Sequence, residues 1–304
     1  MRTCTTVALM LAVLGFSNPA RAQSQDVQAT SLLGRPLVSA APTPATIENL
    51  RKAKADYDQA PGDPDALIWY GRRMAYTGDF KAAIALFNEG IRKHPADPRF
   101  YRHRGHRYIS IRQFDNAITD LEKAATLMAG TPDAVEPDGL PNAKNIPLST
   151  LHGNVWYHLG LAYYLKNDLV QARRAFSEAV GARPNDDGKV AAMHWLYMIL
   201  RRMGKPDEAS AALRPITPTM TIIENMAYHR LCLFYKGLLT LADLTGTGEG
   251  ATVNDAIAYG AANWHLYNGR REEARTGFQA LLTGRGWASF GYIAAEADVA
   301  RGLQ

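Results

Sequence analysis

The chain has 304 residues, enough for one extended or two compact domains around a substantial core. Apolar residues make up 47% and the formal charge is only +5, which argues against wholesale disorder and against a nucleic-acid partner chosen by bulk charge. No run reaches the roughly eighteen apolar residues that a membrane-spanning helix needs.

The first 22 residues read as a signal peptide. Arg2 supplies the positive start, "VALMLAVLGF" (7–16) is an apolar run too short to span a bilayer, and Ala20-Arg21-Ala22 gives the small-x-small cleavage pattern. Cleavage after Ala22 lowers the formal charge to +3 and removes Cys4, leaving Cys232 alone inside the apolar stretch "LCLFY". That thiol is expected to be buried core rather than reactive. The mature chain is expected to be exported, periplasmic or secreted.

Residues 23–43 read as an extended segment. Thr43-Pro44 then supplies a cap and first turn for a helix through Tyr57, closed by Pro61 and placed to cover the front of a helical stack. Three segments then repeat, within 64–97, 98–131 and 153–186. Gly71 and Gly105 are 34 residues apart, as are Ala83 and Ala117, and Gly160 and Ala172 keep the same internal spacing of 12. A glycine midway along one helix and an alanine early in the next let two antiparallel helices approach, with Phe87, Leu121 and Phe176 filling the space four residues after each alanine. Gly78 and Asn167 supply the turn residue that stops the first helix. Arg112 occupies that position in the second unit at some steric cost, so its turn is expected to differ. Pro95 and Pro184 close the second helices.

Between the second and third units, residues 130–152 form a long proline-containing connection, of a length that is often functional. Its Asp133, Glu136 and Asp138 are expected to turn back toward Arg102, His106 or Arg107 and narrow any groove there. Degenerate units come next at 190–216, with Gly204 and Ala209, and at 255–286, with Gly269, Ala274 and Phe278. The pairing of helices in 219–251 cannot be read. Residues 287–302 read as a helix covering the far end of the stack.

This pattern resembles the tetratricopeptide repeat (TPR). The third unit carries the family signature in full, as Trp156, Leu159, Gly160, Tyr163, Ala172, Phe176, Ala179 and Pro184. The resemblance implies an all-α superhelical solenoid of stacked helix-turn-helix repeats over 44–302, with a concave groove lined by the first helix of each pair. By position the groove would present Arg72, Tyr76, Arg102, His106, Ser110, Tyr157, Leu161 and Tyr164, then His194, Met198, Arg201, Arg202, Tyr259, Asn263 and Tyr267. Such a surface suits a protein or peptide partner bearing acidic or carboxylate groups. The family's two-carboxylate clamp is absent, because Ile68, Arg72, Asn154 and His158 stand at its positions.

His103 and His106 share a helix at metal-ligand spacing, but no third ligand is evident, so no metal is expected; nor is any cofactor, nucleic acid or integral membrane span. Phosphate loops, dinucleotide fingerprints, nucleophile elbows and zinc-protease helices are missing. The implied function is an exported, non-enzymatic TPR scaffold that binds its partner in the groove, in an envelope assembly. The alternative is a small-molecule or glycan-processing enzyme built from the groove histidines and arginines and the 130–152 loop.

Overall fold

The computed structural model describes residues 26–182, 184–245 and 254–303, so the apolar N-terminal run and its cleavage pattern lie outside the described residues. The segment before the repeats is a two-stranded antiparallel hairpin, β1 (Val27–Thr30) and β2 (Pro36–Val38). The rest is helical. α1 (Pro44–Gln59) leads into the pairs α2 (Pro64–Tyr76) with α3 (Phe80–Lys93), α4 (Pro98–Ser110) with α5 (Phe114–Met128), and α6 (Leu151–Leu165) with α7 (Leu169–Gly181). α8 (Asp186–Arg202) pairs with the short α9 (Pro206–Ala212). Then come α10 (Met226–Tyr235), α11 (Leu241–Thr245), the pair α12 (Asp255–Tyr267) and α13 (Arg271–Leu281), and finally α14 (Phe290–Ala300).

Local sequence explains the helix starts. Asp63 and Asp97 each precede a proline and accept a hydrogen bond from the backbone N–H two residues on, starting α2 and α4. Thr150 and Asn185 cap α6 and α8 in the same way, through the N–H three residues on. The first helix of every clear pair ends before a left-handed residue: Gly78 (φ 86°), Arg112 (φ 65°) and Asn167 (φ 63°), with Gly204 and Gly269 in the later pairs. In the second turn Arg112 takes the strained conformation itself, and α5 begins without the side-chain cap that Asp79 and Asp168 give α3 and α7.

Within each pair the glycine faces the bulky residue rather than the alanine. A Cβ on Gly71 would stand 2.5 Å from the Phe87 ring, one on Gly160 2.6 Å from Phe176, and one on Gly105 2.8 Å from Leu121. The small residue makes room for a side chain that is itself completely buried, and this is how the pair closes. Gly90 does the same between repeats, facing Phe100.

The described part of the 219–251 stretch, 219–245, continues the stack through α10, which packs between α8 and α12; residues 246–251 lie outside the described residues. The buried carboxylate of Asp187 accepts the backbone N–H groups of Ile223, Glu224 and Asn225 at 2.7–2.9 Å and so fixes the entry to α10. Cys232 is fully buried on this helix, and burial pushes its thiol far up.

The last helix does more than cover the final pair. α14 packs on α12 and α13 and also turns inward, reaching α6. Ala294, Ala295 and Ala297 let it seat closely, and its two acids find inner-face arginines. Glu296 pairs with Arg112 at 2.9 Å and Asp298 with Arg202 at 2.8 Å, all four side chains at most 5% exposed. The hairpin joins the same junction. The Leu32 N–H donates to Glu296 at 2.7 Å, and the Trp287 indole donates to the Val38 carbonyl at 2.8 Å.

Candidate interaction site

The inward turn of α14 divides the expected groove. Across repeats three onward the trough is filled. Tyr157, Leu161, Tyr164, His194, Met198, Tyr259 and Asn263 are all buried, so they are not offered to a partner, contrary to the expectation of an open channel. Tyr164 shares its hydroxyl with Tyr259 at 2.6 Å, and Tyr259 donates to Asp298 at 2.8 Å, beside the Arg202–Asp298 pair. Arg201 and Tyr267 lie at the rim, the guanidinium 4.6 Å over the ring and hydrogen-bonded to Tyr197 and Asn268. Burial holds His194 neutral, its pKa lowered to about 3.

At the other end, α2 and α4 keep half-buried inner residues: Arg72, Arg73, Tyr76, Arg102, His106 and Arg107. Onto them folds the 130–150 connection. It is tied at its root by the Val135–Thr150 bridge, by Glu136 N–H to Ser149 O at 2.9 Å, and by Asp133, which accepts the His152 N–H at the start of α6. From that root Glu136 enters the site, where Arg102 meets its carboxylate at 2.9 Å and the Asn154 amide donates to the same oxygen. Arg72 donates to the Pro137 carbonyl and Arg73 to the Gly139 carbonyl, both at 2.8 Å. Asp138 lies near Arg72; burial raises its carboxyl although the arginine opposes the shift. The structure thus gathers Arg72, Tyr76 and Arg102 with the acidic loop residues Glu136 and Asp138, while His106 packs away from them against His158 and Phe290.

The charge at this end is unbalanced. Of the arginines on and just after α4, Arg99 pairs with Asp97 and Asp65, Arg104 with Asp120, Arg102 with Glu136, and Arg112 with Glu296. Arg107 has no carboxylate at ion-pair distance among the described residues. Its guanidinium lies 5.4 Å over the Phe80 ring, and its pKa falls to about 10, through burial first and then the fields of Arg102 and Arg72, with Tyr76 opposing. His103 and His106 are pushed well below the ordinary histidine range by burial and by the neighbouring arginines. They do not converge: His103 stacks on Phe87 with its Nε2 3.9 Å from Glu136, while His106 packs between His158 and Phe290. Among the described residues no three potential ligands are arranged to hold a metal ion. The cavity beside Glu136 measures about 150 Å³. That is below the roughly 300–1,000 Å³ of an ordinary small-molecule pocket, so the cluster is better suited to holding a chain than to enclosing a substrate.

Sequence reasoning left Arg73, Asn154, Arg112, Glu296 and Asp298 out of the site. Two signals pointed to the last three: an arginine where the turn wants glycine, and two acids within an otherwise apolar helix, "FGYIAAEADVA".

Tetratricopeptide-repeat family patterns match residues 64–107 and 150–187. Similar solved structures include a tetratricopeptide repeat protein from Parabacteroides merdae ATCC 43184, at 12% identity over 82% of this chain and 92% of that one (TM-score 0.48). YrrB, described as a TPR protein with an unusual peptide-binding site, is 15% identical over 77% of this chain and 92% of its own (TM-score 0.44). MamA from Desulfovibrio magneticus RS-1 is 22% identical over 57% and 84% (TM-score 0.42). No curated protein matches the sequence. Among the described residues no helix is long and apolar enough to cross a membrane.

Proposed function

This chain is a tetratricopeptide-repeat protein, a class of protein-interaction scaffold, and from that premise we propose an exported, non-catalytic scaffold for an acidic protein partner. The partner binds at the basic end of the inner face, on α2 and α4, and the assembly belongs to the cell envelope. The apolar run at 7–16 followed by Ala20-Arg21-Ala22 supports export. One observation carries the binding site: Arg72, Arg102 and Arg107 converge where Glu136 alone forms an ion pair among the described residues, and Arg107 forms none. A guanidinium desolvated without a counter-charge is held in an unfavourable state, which an incoming carboxylate relieves.

In-cell photocrosslinking tests this. A photoreactive residue at Tyr76 is expected to capture an exported protein, and Arg107→Glu is expected to reduce that capture at least tenfold. The same probe at Val170, 66% exposed on α7, serves as the control. Equal capture from both positions, or capture unaffected by Arg107→Glu, would contradict the proposal.

A further inference from the structure

We infer that residues 135–139, Val-Glu-Pro-Asp-Gly, occupy the basic site as a ligand in cis, and that the partner segment is an extended acidic peptide of the same kind that displaces them. This rests on the reading above and names the chemistry of its partner.

The contacts are those of a groove holding a peptide. The first helices of three successive repeats each contribute: Arg72 and Arg73 from α2 take main-chain carbonyls, while Arg102 from α4 and Asn154 from α6 take the one acidic side chain. Main-chain recognition with a single charged anchor is how a repeat groove reads an extended segment. Gly139 lies close against the ring end of Tyr76, where an added Cβ would meet the hydroxyl. Pro137 fixes its own φ and biases Glu136 before it toward extended backbone, which lowers the entropy lost on docking.

What holds the loop is polar, not apolar. Val135 is 59% exposed and Leu140 74%, so the large apolar residues on either side of the docked stretch face solvent instead of anchoring it. A segment with few buried apolar contacts opens at low cost, and here the Val135–Thr150 bridge provides the fixed root for that opening. The charge, however, makes opening an exchange. Once Glu136 leaves, Arg102 joins Arg107 without a counter-ion, so the open state is strongly favoured only when another carboxylate arrives. Affinity for an outside peptide is therefore reduced by the fraction of time that the loop occupies the site.

The probe is a fluorescein-labelled peptide with the sequence of residues 134–140, titrated by anisotropy. In one variant residues 135–139 are replaced by an alternating Gly/Ser stretch; in another, Glu136→Gln leaves the loop in place. The loop replacement is expected to bind at least tenfold more tightly than the wild type, with Glu136→Gln in between. Adding Arg102→Glu to the loop replacement, or changing the probe's Glu to Gln, should cost at least tenfold. Thermal melts by circular dichroism show that each variant is folded. A folded loop replacement that binds the probe no better than the wild type overturns the inference. If the Tyr76 crosslink succeeds while this titration fails, the scaffold reading stands and the cis-ligand reading falls; if both fail, both fall.

Discussion

Arg112 shows how a residue that breaks a local rule reveals a tertiary one. A left-handed backbone costs a non-glycine residue about 1–2 kcal/mol. The arginine stays because its guanidinium bonds both oxygens of Glu296 and the Trp287 carbonyl, all buried. Removing one partner of a buried ion pair costs about 3–5 kcal/mol, since the other charge is left desolvated. Arg112→Gly is therefore expected to destabilise the protein by a few kcal/mol even though it relieves the turn. Urea unfolding measures this, and a variant as stable as the wild type would refute the assignment.

His194 acts at the same scale, through its proton. Its folded-state pKa of about 3 lies below the unfolded value near 6.5, so the unfolded chain takes up the proton first and stability falls with pH from about 6.5 toward 3. Between pH 7 and pH 5 this residue alone should cost about 2 kcal/mol. His194→Phe should lose that much less stability over the same interval. An unchanged slope would mean that the imidazole is not held neutral.

At the scale of the element, what the sequence made legible was what depends on neighbours along the chain. Gly71 against Phe87, Gly105 against Leu121, the Asp-Pro starts of α2 and α4 and the turn residues each act within one pair, and a pair is visible in a single stretch. The turn-back of the 130–150 loop was legible in part: its acids call for basic partners, but α5 stands between them and the basic α4, so the path itself was left open. The course of α14 was not legible. Its fate rests on Glu296 finding Arg112 and Asp298 finding Arg202, residues 184 and 96 positions away, and periodicity carries no information about such distances. The groove residues were misread for the same reason. Position in the repeat places Tyr164, Tyr259 and Asn263 on the inner face correctly, but exposure depends on what else lies there.

For the whole molecule, the consequence is a solenoid that supplies its own filling. An open repeat array shares its stability among nearest neighbours. Here the hairpin, the turn of the second repeat and α14 meet in one junction, tying residues near both ends of the chain to its middle. Such a molecule gives the later part of its inner face to its core and leaves arginines in excess of acids at the other end, the end proposed above for recognition.

Hydrogen–deuterium exchange along α14 tests that closure most directly. A helix locked inside the trough should exchange as slowly as α6, only on global unfolding, and Glu296→Gln should speed both together. Exchange of α14 at least a hundredfold faster than α6 would show a helix resting on the surface, and would return the groove of the later repeats to an outside partner.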